Sequence, residues 1–167
     1  MPFSVDIGVG DIIVPKPEKR IIQTQLRGYE KPEIYTYSLE STIAEKLDAV
    51  FQRFELTGRM KDFYDIFYLA QTFDFDGQRL WKAIKETLQN RGTGYSKESF
   101  DNVIQLADNS DIQVRWRYFQ KTINQTELSL SDVMSIIDIF LHPVFDSLVS
   151  GEVHTKKWNA KCREWVS

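Results

Sequence analysis

The side chains in this chain with the means to do chemistry fall into three short stretches. The first is Val5-Asp6-Ile7-Gly8-Val9-Gly10-Asp11. Phe3, Val5, Ile7 and Val9 alternate with Ser4, Asp6 and Gly8, the period of a strand with one buried face, so Asp6 stands on the polar side. A lone acid there is by default solvated, and Asp11 beside a glycine is by default a turn residue. Gly8-Val9-Gly10 is too short for a dinucleotide loop and has no third glycine.

The second stretch is Ala44-Glu45-Lys46-Leu47-Asp48-Ala49, where Lys46 flanks an apolar helical stripe. Such a lysine either lies along the surface paired with a local acid, Asp48 or Glu45, or is aimed at triphosphate oxygens. In the second case it should point towards the third stretch, Arg59-Met60-Lys61-Asp62-Phe63-Tyr64-Asp65. Asp62 and Asp65 stand three apart and share a helix face. They can complement the helix dipole, Asp65 can pair with Lys61, or one of them can orient Lys46. His142 and His154 lack metal-ligand spacing, Cys162 has no activating context, and no Gly-x-x-x-x-Gly-Lys loop occurs. Trp81, Trp116, Tyr118 and Phe119 are expected to fill the core rather than stack bases.

These stretches need elements to hold them. Beyond the first strand, Ile12–Val14, Ile21–Leu26 and Ile34–Tyr37 are strand candidates, broken by Pro15, Pro17 and Gly28. From Ser38 the pattern turns helical. Ser38 is a plausible N-cap, Glu40 sits in the first turn, and Leu39, Ile43, Leu47, Val50 and Phe54 form one stripe. Gly58 breaks it, and a second helix over about Met60 to Gln71 buries Phe63, Ile66, Phe67 and Ala70. Asp76 caps a third, with Leu80, Ile84 and Leu88 inward and Gly92 and Gly94 at its end. Three more follow, at about Ser96–Ala107, Asp111–Ile123 and Ser129–Val149, the last kinked near Pro143. Trp158 and Trp165 predict a tail that packs onto the body. The fold class expected is α+β: short N-terminal strands over residues 1–37, then a mostly helical bundle over 38–167, in one compact unit. So short a sheet exposes its edges.

Composition narrows the classes further. With 42% apolar residues, 11 Phe, 7 Tyr and 4 Trp among 167 residues, one compact core is affordable. A formal charge of −3 provides no general attraction to nucleic acid or anionic lipid, though a local basic patch leaves room for an RNA substrate. A single cysteine rules out an internal disulfide and suits a reducing cytoplasm. Met1–Asp11 has no signal-peptide pattern. Asp138, His142, Pro143 and Asp146 interrupt Val133–Val149, short of the roughly 20 apolar residues a span needs. A soluble cytoplasmic protein with no membrane partner is expected.

Taken in order, Val5–Asp11 with Pro15, Tyr37 with Glu40, Ala44-Glu45-Lys46 and Arg59–Asp65 resemble the AbiEii/AbiGii-type nucleotidyltransferase toxins of bacterial abortive-infection and toxin–antitoxin systems. Asn90-Arg91-Gly92-Thr93 and Trp116 with Phe119 are similar to further family positions, so the resemblance covers most of the chain. It implies a minimal nucleotidyltransferase fold, with the strands of residues 1–37 belonging to its sheet. A Gly-Ser or Gly-Gly turn is followed there by Asp-x-Asp on a strand, and a third acid comes from a neighbouring strand. Together these acids hold divalent metal. By that resemblance Asp6 is the metal-holding and catalytic acid, with Lys46, Asp62 and Asp65 catalytic beside it. Nucleotide binding falls to Lys46 with Arg59 and Lys61. Mg2+ is the implied cofactor, an NTP the donor substrate, tRNA a possible acceptor, and a cognate antitoxin the partner.

The family's Gly-rich turn and Asp-x-Asp belong ahead of the strand that begins at Phe3. Asp74-Phe75-Asp76 has the letters but lies between two helices. The expectation is therefore a chain truncated before that motif and inactive alone, in which under-coordinated metal would not support turnover. The alternative is a non-catalytic helical binding module that pairs with an antitoxin or a sister chain, as a homo-oligomer, through its exposed sheet edge.

Overall fold

The computed structural model describes residue 13 and residues 16–24, 27–52 and 59–167. The chain is α+β, as its sequence implies. A hairpin of β1 (Glu18–Ile21) and β2 (Glu33–Thr36) leads into helices α1 (Leu39–Gln52) and α2 (Met60–Thr72). A short strand β3 (Phe75–Asp76) precedes α3 (Gly77–Arg91), α4 (Lys97–Gln105), a 3-10 turn at Leu106–Asp108, and α5 (Ser110–Thr122). The long α6 (Leu130–Ser150) is followed by β4 (Lys157–Asn159) and β5 (Glu164–Val166).

The helix ends follow local chemistry. The Ser41 amide donates to Ser38 Oγ at 3.1 Å to cap α1, and the Arg79 amide donates to Asp76 Oδ1 at 3.0 Å to cap α3. Gly92 closes α3 at φ +64°, a left-handed conformation that favours glycine because a Cβ would crowd the carbonyl. Ile43, Leu47 and Val50 of α1 and Phe63, Ile66 and Ala70 of α2 are buried, as their spacing predicts; Phe67 is half-buried. Phe54 and Gly58 lie outside the described residues, as do the expected strands at Phe3–Val9 and, Ile13 apart, at Ile12–Val14.

The centre of the core is α6, which buries Ile137, Phe140, Leu141, Val144 and Phe145 against α2, α3 and α4. Among the described helices it alone is long and apolar enough to cross a membrane by length and composition, yet half of that apolar stretch is enclosed by the protein. It runs through Pro143 as one helix.

Tyr118, expected in the core, is 68% exposed, and two expectations about strands also need correction. The first hairpin strand is Glu18–Ile21, and of the expected Ile21–Leu26 the described residues 22–24 are not strand. Pairing sets this boundary, because Glu18 faces Thr36 and Ile21 faces Glu33. Almost every side chain of the hairpin is exposed, so no alternation marks its limits. The second correction lies at the other end, where strands were not expected. There β3, β4 and β5 form an antiparallel sheet with Phe75 opposite Trp158 and Trp158 opposite Trp165. Strands of two or three residues carry no readable period. Indole hydrogen bonds hold them in place, with Trp158 Nε1 donating to the Ala70 carbonyl at 2.6 Å and Trp165 Nε1 to that of Phe140 at 2.9 Å. At the start of α3 the Gly77 amide meets the Lys156 carbonyl at 2.9 Å, and no space for a Cβ is left there.

Candidate functional site

Lys46 projects from α1 towards the first turns of α2, whose sequence places Asp62 and Asp65 on one face. Its Nζ donates to Asp62 Oδ1 at 3.0 Å and to Asp65 Oδ2 at 2.6 Å. Of the two arrangements open to this lysine, the structure has the one directed at the α2 acids. Arg59, just ahead of α2, reaches the other oxygen of Asp62 at 3.1 Å, and Lys61 stands 3.5 Å from Asp65. Charges therefore alternate along one chain of contacts: Arg59, Asp62, Lys46, Asp65, Lys61.

Burial and charge oppose each other at Lys46. Desolvation alone would push the pKa of its ammonium down. The hydrogen bonds it donates to Asp65 and Asp62, and their charges, more than offset this and hold it above the usual lysine value. The ammonium is thus a fixed cation at neutral pH. Two of its three N–H donors serve the carboxylates, leaving one direction for a further acceptor.

Lys46 lines a cavity of about 440 Å³ together with Tyr37, Thr42, Glu45, Ala49, Gln52, Arg59, Asp62 and Arg91. The candidates separate here. Lys46, Arg59 and Asp62 line the cavity; Asp65 braces Lys46 from outside its wall, and Lys61, 76% exposed, faces solvent. Asp6 lies outside the described residues. A second cavity of about 370 Å³, between α5 and the start of α6, is lined by none of these candidates.

Sequence reasoning weighed Asp48 only as a surface partner for Lys46, whereas it has no exposed surface. Arg91 approaches one of its oxygens at 3.4 Å, Gln52 Nε2 donates to it at 3.1 Å, and the Thr93 hydroxyl donates as well. Asp48 follows Ala44 by one helical turn, and Ala44 is fully buried; that spacing was the available signal. His142 serves a helix face, its Nδ1 2.7 Å from Asp138 one turn away in α6. Cys162 is exposed.

Among the described residues no group of three His, Cys, Asp or Glu could hold a metal ion. Asp62 and Asp65 turn their nearest oxygens to Lys46, so these two acids do not form a cation site.

A family model for the nucleotidyl transferase AbiEii toxin of type IV toxin–antitoxin systems matches residues 1–150. No curated protein and no solved structure matches the chain. The matched span includes α1, α2 and the whole Lys46 cavity. With nine-tenths of its length inside that match, the chain belongs to the AbiEii family of nucleotidyltransferase toxins of type IV toxin–antitoxin systems.

Proposed function

We propose that the Lys46 cavity binds the nucleoside triphosphate from which a nucleotide is moved onto an acceptor such as tRNA, in a cytoplasmic toxin paired with an antitoxin. The observation that carries this reading is the Lys46 ammonium, clamped between Asp62 and Asp65 in the lining of a 440 Å³ cavity. A clamped cation faces phosphate oxygens without reorganising as their charge grows, which is how an enzyme lowers the barrier to nucleotidyl transfer. In this reading Asp62 and Asp65 position Lys46, and Arg59 supplies a second positive group at the cavity mouth. Mg2+ belongs to the reading with Asp6 as a ligand, and the described residues by themselves do not assemble a centre for it. A polypeptide of these 167 residues alone should bind NTP with little or no turnover.

Titration calorimetry with GTP and with CTP in magnesium tests the site. Wild type should bind at least one of them, and Lys46→Ala should weaken that binding by about 10- to 100-fold, the value of a charge-assisted hydrogen bond. Lys82→Ala, on the exposed side of α3, should bind as wild type does. Equal affinities in wild type and Lys46→Ala, or no binding by either, would sink the assignment.

A second reading rests on the hairpin. Among the described residues both strands of this two-stranded sheet are edges, and Ile21 and Tyr35 are 64% and 68% exposed. Open edges carrying apolar side chains favour pairing with a sister chain. Light scattering at rising concentration should show a dimer that Ile21→Lys returns to monomer. A wild-type monomer at every concentration would remove this reading.

A further inference from the structure

A second cationic arm reaches the cavity from the far end of α3. Asp48 is fully buried, and a carboxylate in that position is costly unless its charge and lone pairs are met. Gln52 meets it from the last turn of α1, and Arg91 and Thr93 meet it from either side of Gly92. The left-handed turn at Gly92 lets both neighbours of that glycine converge on one carboxylate. Asp48 thus fastens the end of α3 to α1 from behind, while Arg91 keeps 33% of its side chain exposed and lines the cavity beside Lys46 and Arg59.

Charge supplies the next step. Three cations, Lys46, Arg59 and Arg91, line the cavity together with two carboxylates, Glu45 and Asp62. Arg91 is held by Asp48, at 3.4 Å, a carboxylate that lies wholly inside the protein and takes no part in the lining. A planar guanidinium also matches phosphate oxygens in a forked geometry that lysine does not offer. We propose that Arg91 contacts the polyphosphate of the nucleotide bound against Lys46, and that Asp48 is the positioning residue that aims it. This rests on the nucleotide reading of the cavity.

Calorimetry of the 167-residue protein with magnesium–GTP and with tripolyphosphate tests both halves. Arg91→Ala should weaken both ligands about tenfold or more, and Arg91→Lys should fall between it and wild type. Asp48→Asn keeps the shape and removes the charge. It should cost a similar factor in the wild-type background and add almost nothing on top of Arg91→Ala, as expected when two residues act as one unit. The phosphate half is overturned if Arg91→Ala binds both ligands within twofold of wild type, or loses affinity for GTP alone. The positioning half is overturned if Asp48→Asn costs as much in the Arg91→Ala background as in wild type. If Asp48→Asn does not fold, the Arg91 pair still decides the phosphate half, and Thr93→Val, which removes one donor to Asp48, replaces it in the cycle. Should wild type bind neither ligand, this inference falls together with the nucleotide reading. If Lys46→Ala loses binding and Arg91→Ala does not, only the inference falls.

Discussion

Lys46→Met is expected to cost the folded protein about 2 kcal/mol at neutral pH, and to do so through repulsion as much as through lost contacts. The lysine side chain is 18% exposed, that of Asp62 11% and that of Asp65 25%. Breaking a fully buried pair costs about 3–5 kcal/mol, and the partial exposure here, with Arg59 and Lys61 still in place, reduces that figure. Two carboxylates within hydrogen-bond reach of one nitrogen would then face each other with no cation between them. Protonating either one relieves the repulsion, so the variant should recover part of its loss as pH falls from about 7 to about 4. Lys46→Met/Asp65→Asn should recover it at neutral pH. In the wild type the sign runs the other way. Because the folded-state pKa of Lys46 is raised above 10.5, its contribution is complete below that value and fades only as pH climbs through the higher one. Urea midpoints at both pH values measure this, and a Lys46→Met midpoint equal to wild type at neutral pH would refute it.

Trp158→Ala should have the larger effect, about 4 kcal/mol, which lowers Tm by roughly 8–16 °C in a chain of this size. Its indole is 1% exposed and lies 4.9 Å from the Phe140 ring and 5.5 Å from that of Trp165. Its removal opens a cavity where α2, α6 and the C-terminal sheet meet, and it strands the Ala70 carbonyl at the far end of the helix that carries Asp62 and Asp65. Trp158→Phe keeps most of the volume and loses the hydrogen bond, so about 1–3 kcal/mol is expected. Scanning calorimetry gives both values. A fall of less than about 3 °C for Trp158→Ala would mean that the tail packs without holding the body together.

The contrast between these two residues marks where sequence reasoning ends. The ends of α1 and α3 were legible because Ser38, Asp76 and Gly92 act on backbone groups within a few residues of themselves. The buried stripes of α1 and α2 were legible for a similar reason: helical pitch converts spacing directly into a face. The choice of partner for Lys46 was half legible. The sequence left the local acids Glu45 and Asp48 open beside Asp62 and Asp65, and only the packing of α1 on α2 selects the latter pair. The spacing from Ala44 puts Asp48 on the buried face, but nothing local foretold what it would anchor, because its partners Arg91 and Thr93 lie more than forty residues away. The same holds for β3–β4–β5, whose three short pieces are strands only because Trp158 and Trp165 find carbonyls on α2 and α6. Local backbone chemistry and helical pitch thus determined the helices and the side each one buries. The tertiary structure decided which charges meet, because Coulomb attraction and hydrogen bonding act across space, whatever the distance along the chain.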